Sequence, residues 1–274
     1  MLRDRIALAL LLLPALIWVI ADGGWLFAGA VTLVLALAAV EYGQLFRRQG
    51  LRPSLPLLVV GVATVSLARF ASGFEHAHLL LSALVLASMV WHLIDFERGA
   101  QRSGTDFALT VAGVLYLGWV GAYLISLRSL PYGEWWLLLA LPSVMLADSA
   151  AYLVGRRVGR RPLAPRLSPK KTWEGYLAGV AGGALAGTAL AALWQIGAGP
   201  GSPVHALTGL ALGSALAVLT PLGDLGESMI KREIGVKDSG DLLPGHGGAL
   251  DRVDSWLWAG VLGYYAALAL GGLA

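Results

Sequence analysis

The sequence predicts an all-α fold, a polytopic integral membrane protein with about nine transmembrane helices. Of the 274 residues, 57% are hydrophobic and only 14% are charged, whereas a soluble domain usually carries about 25% charged residues. Apolar runs close to the membrane-spanning length of about 20 residues recur along the whole chain. Lipid offers no partner for backbone polar groups, so each run is expected to be helical. This recurrence disfavours the alternative, a large soluble helical protein with an apolar core.

The apolar segments predict one transmembrane domain over residues 1–274, with an N-terminal half (1–145) and a second half (146–274) that carries two polar loops. The first segment could instead be a signal peptide, because Arg3 and Arg5 precede it. A second span follows almost at once, which favours an uncleaved helix. The nine predicted segments are 6–21, 24–46, 55–71, 77–96, 107–127, 134–154, 175–197, 204–222 and 253–273.

Lysine and arginine concentrate on one side of the predicted membrane, and this predicts the orientation. Of the 20 Lys and Arg residues, 18 lie in one alternating set of segments, and the exceptions are Arg69 inside a span and Arg128. That set consists of the N-terminus and the loops 47–54, 97–106, 155–174 and 223–252. Cytoplasmic loops carry the excess of cations. We therefore expect a cytoplasmic N-terminus and a C-terminus on the opposite side of the cell (inner) membrane.

The chain contains no cysteine. This excludes disulfide bonds, Cys-ligated zinc and thiol nucleophiles, so any chemistry must come from carboxylates, Lys, Arg, His or hydroxyl groups. Loops 155–174 and 223–252 are much richer in such groups than orientation alone requires.

The first of these loops follows Asp148, which lies in the sixth apolar segment. A carboxylate at membrane depth is costly and usually faces a partner or a water-filled cavity. The alternative is an Asp paired with a neighbouring Arg for packing alone. Topology and contact with anionic lipid explain most of the arginines that follow. These are Arg156, Arg157, Arg160, Arg161 and Arg166.

Residues 168–174 (SPKKTWE) predict a helix N-terminus suited to phosphate. Ser168 fits the N-cap, Pro169 fits the first turn, and Glu174 lies within that turn. Backbone N–H groups point outward there and favour an anion. A well-capped helix with interfacial lysines is the alternative. The side chains that would meet the phosphate are Lys170, Lys171 and Thr172.

The second loop follows the eighth segment and predicts two pairs of acids. If residues 224–232 are helical, a three- and four-residue spacing places four polar side chains on one face. Asp251 and Asp254 are three apart at the start of the ninth segment and share a face as well. The four side chains on the first helix are Asp224, Glu227, Ser228 and Lys231.

Acids in the midst of cations predict a divalent metal ion together with a polyphosphate. Mg²⁺ takes few carboxylate oxygens and completes its shell with water and phosphate. Residues 244–248 (PGHGG) can expose backbone N–H groups and admit a ligand closely. His246 would bond a phosphate, act as an acid, or donate a structural hydrogen bond. A solvated mesh of salt bridges is the alternative for the whole loop. The cations that would hold phosphate oxygens are Lys231, Arg232, Lys237 and Arg252.

These motifs resemble the signature of the phosphatidate cytidylyltransferases, also called CDP-diacylglycerol synthases. The resemblance is strong over about residues 145–257 and includes 148–152 and 168–175, whereas the N-terminal half resembles the family only as an apolar, multispanning stretch. The matching positions of the main motif are Ser228, Ile230, Lys231, Arg232, Lys237, Asp238, Gly240, Pro244, His246, Gly247, Gly248, Leu250, Asp251, Arg252, Val253 and Asp254.

The resemblance implies transfer of a cytidylyl group from CTP to phosphatidic acid at the cytoplasmic membrane face, with Mg²⁺ as cofactor. It also suggests a homodimer and a second, monovalent cation such as K⁺. Asp224 and Asp251 are expected as metal ligands, with Asp148 and Asp254 beside them. Catalytic roles are expected for Asp148, Lys171, Lys231, His246 and Asp254. Substrate-binding roles are expected for Ser168, Lys170, Thr172, Ser228, Arg232, Lys237, Asp238, Gly247, Gly248 and Arg252.

Three other functions stay open or are disfavoured. A related CTP-dependent membrane enzyme would act on another lipid phosphate or on a lipid alcohol. A transporter would place its charges near the bilayer midplane, whereas these acids gather at one face. The paired-Asp motif of the membrane enzymes that consume CDP-diacylglycerol is absent. Nucleic acid is not an expected partner, because the arginine cluster has no aromatic or groove-reading context.

Overall fold

The structure is a computed structural model, which describes residues 14–240 and 247–272, and helices dominate it. The first described helix, α1, occupies residues 14–22. The following elements are α2 (Gly24–Arg47), α3 (Leu55–Ser72), α4 (Ala77–Glu97), α5 (Ser103–Gly113), a π-helical stretch (Val114–Val120), α6 (Tyr123–Arg128), α7 (Gly133–Val158), β1 (Pro162–Ala164), β2 (Ser168–Thr172), α8 (Trp173–Ala198), α9 (Ala206–Leu219), α10 (Pro221–Ile234) and α11 (Leu250–Leu270).

Within the described residues, seven helical stretches are long and apolar enough to cross a membrane. They match the second to eighth predicted segments and make the chain a polytopic membrane protein. The first predicted segment begins outside the described residues. The ninth corresponds to α11, which is helical but is not among these seven, so a total of nine spans stays a prediction. The seven stretches are Gly24–Arg47, Leu55–Ser72, Ala77–Glu97, Ser103–Arg128, Gly133–Val158, Trp173–Ala198 and Ala206–Ile234.

The chain forms two compact units. One comprises the described parts of Met1–Ser126 and Glu233–Val253, and the other those of Leu127–Arg232 and Asp254–Ala274. In the first unit, α2 packs against α3, and both contact the π-helical stretch. In the second unit, α8 packs against both α7 and α9.

The first unit contains a buried arginine in a membrane span. Arg69 on α3 is only 4% exposed, and its guanidinium lies 3.6 Å from the ring centre of Phe74 and 4.3 Å from that of Trp119. Its Nη1 also donates a hydrogen bond to Ser126 Oγ at 3.2 Å. Cation–π contacts of this kind accommodate a charge inside a span.

Glycine lets α8 approach both of its neighbours at backbone distance. A Cβ added at Gly187 would lie 2.9 Å from Gly213 Cα on α9 and would also collide with Gly209 O. On the α7 side, a Cβ added at Gly179 would lie 3.0 Å from Ala151 Cβ. Small residues at such interfaces allow close van der Waals packing in lipid, where no hydrophobic driving force joins the helices.

The prediction of Ser168 as a helix N-cap is wrong, because loop 155–174 contains an antiparallel hairpin that was not predicted. Pro162 pairs with Thr172, and Ala164 pairs with Ser168. This pairing keeps the backbone extended through Thr172, so α8 can begin only at Trp173. Thr172 is the cap, and its Oγ1 accepts a hydrogen bond from Gly175 N.

Glu174 lies in the first turn of α8, as predicted, and ties that turn to the preceding loop. Its Oε2 accepts hydrogen bonds from the backbone N–H groups of Arg160 at 3.0 Å and Arg161 at 3.2 Å. The Arg161 side chain also donates to Glu174 Oε1 at 3.3 Å. The end of α7, the hairpin and the start of α8 are therefore connected by hydrogen bonds as well as by sequence.

Candidate active site

A cavity of about 840 Å³ lies in the second unit, where the end of α7, the hairpin, the start of α8 and the start of α10 meet. Cavities of about 300–1,000 Å³ are the size that holds small-molecule ligands and cofactors. Its polar and aromatic lining contains six cations and acids, together with two tyrosines and a threonine hydroxyl. The lining includes Asp148, Tyr152, Arg156, Arg160, Lys170, Lys171, Thr172, Tyr176 and Asp224.

Two of the predicted site residues meet directly at this cavity. Lys171 Nζ is in contact with Asp224 Oδ2, and both side chains are partly accessible, at 28% and 39% exposure. Asp224 Oδ1 accepts a hydrogen bond from Ser228 Oγ at 3.4 Å. One turn further along α10, Lys231 Nζ donates to Glu227 Oε2 at 2.9 Å. The predicted polar face of residues 224–232 is thus confirmed.

Asp224 is also the centre of a group of three acids. Asp148 interacts electrostatically with Lys171 and Asp224, and Asp254 interacts with Asp224, Lys231 and Asp148. Gly223 brings Asp224 close to α11, since a Cβ at Gly223 would lie 2.8 Å from Asp254 O. Like charges this close repel one another. A cation is therefore favoured between them, and Lys171 already supplies one at Asp224.

The chemistry of these donors fits Mg²⁺. Within the described residues, no group of three or more acids and histidines has the geometry of a complete metal site. Mg²⁺ does not need one, because proteins usually bind it through one or two carboxylates while substrate phosphates and water complete the shell. Asp224 and its two acidic neighbours carry oxygen atoms of the type that Mg²⁺ takes as ligands.

The remaining basic residues of the motif have different surroundings. Lys231 is only 12% exposed and pairs with Glu227, which is 2% exposed. Arg232 is exposed, and its Nε donates to Leu167 O in the hairpin turn at 3.3 Å. The pairing of Lys231 with a buried acid favours a structural contribution, and its predicted catalytic role stays a prediction.

The first unit contains the other predicted residues of the motif: Lys237, Asp238, Gly247, Gly248, Asp251 and Arg252. Asp251 Oδ2 accepts three hydrogen bonds, from Ser239 N at 3.0 Å, Ser239 Oγ at 2.9 Å and Gly248 N at 2.9 Å. This carboxylate therefore holds two parts of the loop together, and its role as a metal ligand stays a prediction. His246 lies outside the described residues.

Sequence reasoning missed one acid that the structure connects to this motif. Glu41 on α2 is 4% exposed, and its Oε2 accepts a hydrogen bond from Leu250 N at 2.9 Å and lies 3.2 Å from Ser239 Oγ, whose single hydrogen it shares with Asp251 Oδ2. The available signal was a lone acid in an apolar segment, the same signal that identified Asp148.

Comparisons with known proteins agree with the resemblance of these motifs. The chain matches the family described as "Cytidylyltransferase family" over residues 3–270. A phosphatidate cytidylyltransferase of Synechocystis sp. is 33% identical over 270 residues, covering 89% of this chain and 88% of the relative. The phosphatidate cytidylyltransferase of Mycobacterium bovis is 34% identical over 240 residues, covering 83% and 76%. That of Brucella suis is 43% identical over 154 residues, covering 56% and 54%.

Proposed function

The chain belongs to the cytidylyltransferase family, and from this premise we propose that it transfers a cytidylyl group from CTP to phosphatidic acid. The products are CDP-diacylglycerol and pyrophosphate. One observation of the structure supports this most directly. Asp224 lies in contact with Lys171 and near Asp148 and Asp254, at a cavity that Arg and Lys also line.

The reaction needs no nucleophilic side chain, because the lipid phosphate is itself the nucleophile. One of its oxygens forms a bond to the α-phosphorus of CTP. The bond from that phosphorus to the oxygen that bridges it to the β-phosphorus breaks, and pyrophosphate leaves with the electron pair. The barrier comes from bringing two anions together and from charge on the leaving group. Positioned cations lower both contributions.

The cavity supplies such cations from three elements. Lys170 and Lys171 come from β2, and Arg156 and Arg160 from α7 and the loop after it. Arg can hold phosphate oxygens through two parallel hydrogen bonds. Lys171 has three N–H donors, so it can keep its contact with Asp224 and still donate to a phosphate. We assign these four side chains to the phosphates of CTP and of the lipid.

Asp224 would be a direct Mg²⁺ ligand in this proposal, with Asp148 and Asp254 beside it. The bound ion would supply charge neutralisation of the phosphates. Asp251 as a further ligand, a second cation such as K⁺, and a homodimer remain predictions from the resemblance. We place the reaction at the cytoplasmic face, because the cation-rich loops 155–174 and 223–252 lie on the predicted cytoplasmic side.

The decisive experiment is an assay of pyrophosphate release by the purified, full-length protein in detergent. We expect release only when CTP, phosphatidic acid and Mg²⁺ are all present, with labelled cytidine recovered in the lipid phase. Parallel reactions with another lipid phosphate and with a lipid alcohol identify a different acceptor. Folded protein that releases no pyrophosphate with any acceptor would overturn the proposal.

A further inference from the structure

We propose that Glu41 is a positioning residue for this reaction: from α2 it holds residues 239–240 and 247–251, which carry part of the motif, in their active arrangement. The proposal rests on the proposed function. Glu41 belongs to the N-terminal half, outside the motifs that carry the resemblance. This positioning role requires no contact between Glu41 and substrate.

Glu41 is a carboxylic acid buried inside an apolar helix, where an ionisable side chain is uncommon. It is 4% exposed and lies within the apolar helix Gly24–Arg47. Ionisable residues inside spans are costly and are commonly functional. Glu41 is met there by Ser239 Oγ and Leu250 N, at 3.2 and 2.9 Å from its Oε2. Both partners belong to the loop and helix start that contain the motif.

The contact with Leu250 makes Glu41 a helix cap. Leu250 is the first residue of α11, and the first N–H groups of a helix have no partner within it. The residue before a helix usually supplies an acceptor from its own side chain, but here that residue is Ala249, which has none. Glu41 supplies the acceptor from a different helix, and its negative charge is favoured at this end of α11.

Two glycines of the motif leave room for the same carboxylate. A Cβ added at Gly240 would lie 2.7 Å from Glu41 Oε1. A Cβ added at Gly248 would collide with both Glu41 Oε2 and Ser239 Oγ. Two glycines of the motif therefore have a reason to be glycine apart from any ligand, because a larger side chain would displace Glu41.

The Ser239 hydroxyl links Glu41 to Asp251. It lies 3.2 Å from Glu41 Oε2 and 2.9 Å from Asp251 Oδ2, and Asp251 also accepts from Gly248 N. Loss of Glu41 would release Leu250 N directly and loosen Ser239, the partner of Asp251. Asp251 and Arg252 are the neighbouring residues for which the resemblance implies metal and substrate contacts, so turnover should depend on Glu41.

The test compares Glu41→Ala, Glu41→Gln and Ser239→Ala with Thr32→Ala in the full-length protein. Thr32 lies on the same helix, is 7% exposed, and has no hydrogen-bond partner for Oγ1 among the described residues. Glu41→Ala should lower kcat on the order of tenfold to a hundredfold, the size of loss expected from small misplacements. Glu41→Gln keeps an acceptor oxygen and should lose much less. Thr32→Ala should match the wild type.

Hydrogen exchange without substrate gives a readout that is independent of turnover. In Glu41→Ala, the amides of Ser239, Gly248 and Leu250 should exchange faster than in the wild type. If the wild type shows no turnover, the proposed function fails while the exchange data still test the capping contact. Two outcomes in Glu41→Ala would overturn the positioning role. One is faster amide exchange with the kcat of the wild type, and the other is amide exchange as slow as in the wild type, whatever the kcat.

A double-variant comparison covers the case in which Glu41→Ala fails to fold. Glu41→Gln and Ser239→Ala alter one connected network, so their effects on kcat should not add in the double variant. Fully additive losses would show that the two residues act separately and would overturn the proposal.

Discussion

Lys171 Nζ contacts the carboxylate of Asp224, joining strand β2 to the first turn of α10 across the edge of a large cavity. The pair gives the carboxylate a cation before any ligand binds. It also gives Lys171 a fixed position from which to donate to phosphate. Function should therefore depend on both residues together.

Replacing Lys171 tests the phosphate-binding side of this pair. Lys171→Gln removes the charge and slightly shortens the side chain, and we expect kcat/KM to fall by about 10²-fold because charge stabilisation in the transition state is lost. Arg166→Gln removes an exposed cation of the same loop that does not line the cavity, and should leave kcat/KM unchanged. Equal losses in the two variants would indicate a general effect of loop charge.

Replacing Asp224 tests the metal-binding side. Asp224→Asn removes the negative charge without changing shape, and we expect turnover to collapse at ordinary Mg²⁺ concentrations in protein that remains folded. A Mg²⁺ titration of the residual activity should require much more Mg²⁺ than the wild type. Glu233→Gln, at an exposed position near the end of α10, serves as the control. Normal turnover of Asp224→Asn would exclude Asp224 as a ligand.

The helix cap at Thr172 makes a prediction about stability. Thr172→Ala should lower the free energy of unfolding by about 1 kcal/mol, the usual contribution of an N-cap hydroxyl. Thr172→Ser should restore most of this, because the acceptor oxygen returns. Ser168→Ala should have a smaller effect, since Ser168 lies in β2 and does not cap α8. Denaturant titrations in detergent micelles provide the measurement. A larger loss in Ser168→Ala would contradict the position of the cap.

Helix contacts through glycine predict a strong contrast between two Gly→Ala changes. Gly187→Ala places a methyl group against the backbone of α9 and should destabilise the protein by about 1–3 kcal/mol through overpacking. Gly226 on α10 has nothing within 4 Å of an added Cβ, so Gly226→Ala should be neutral or slightly stabilising. Thermal unfolding in the same detergent compares them, and equal melting temperatures would count against the close α8–α9 packing.

The predicted orientation can be tested by labelling single introduced cysteines, because the chain has no cysteine of its own that a thiol reagent would label. Single replacements Ala100→Cys and Ser129→Cys lie in loops that the charge pattern assigns to opposite sides of the membrane. An impermeant thiol reagent applied to intact cells should label Ser129→Cys, and should label Ala100→Cys only after the membrane is opened. The reverse pattern would invert the orientation.

Local spacing predicted some of the site well, and tertiary contacts decided the rest. The face of α10 with Asp224 and Ser228 followed from helical periodicity, which depends only on nearby residues. Ser168 was wrongly predicted to be a cap, because strand pairing with Ala164 decides where α8 begins. Glu41 was missed for a related reason, since its partners Ser239 and Leu250 are remote in sequence. No local pattern identifies such partners.

The glycine contacts between α8 and α9 also constrain how the cavity can change its volume. Gly183 and Gly187 meet Gly213 and Gly209 at backbone level, so no side chain at these positions can yield to let the two helices move closer. Gly179 restricts α8 against α7 in the same way. These three helices form a closely packed frame, and the parts of the cavity wall outside it are the hairpin of β1 and β2 and the start of α10. Admission of a bulky ligand would therefore displace the hairpin, the start of α10 and side chains before it displaced the frame.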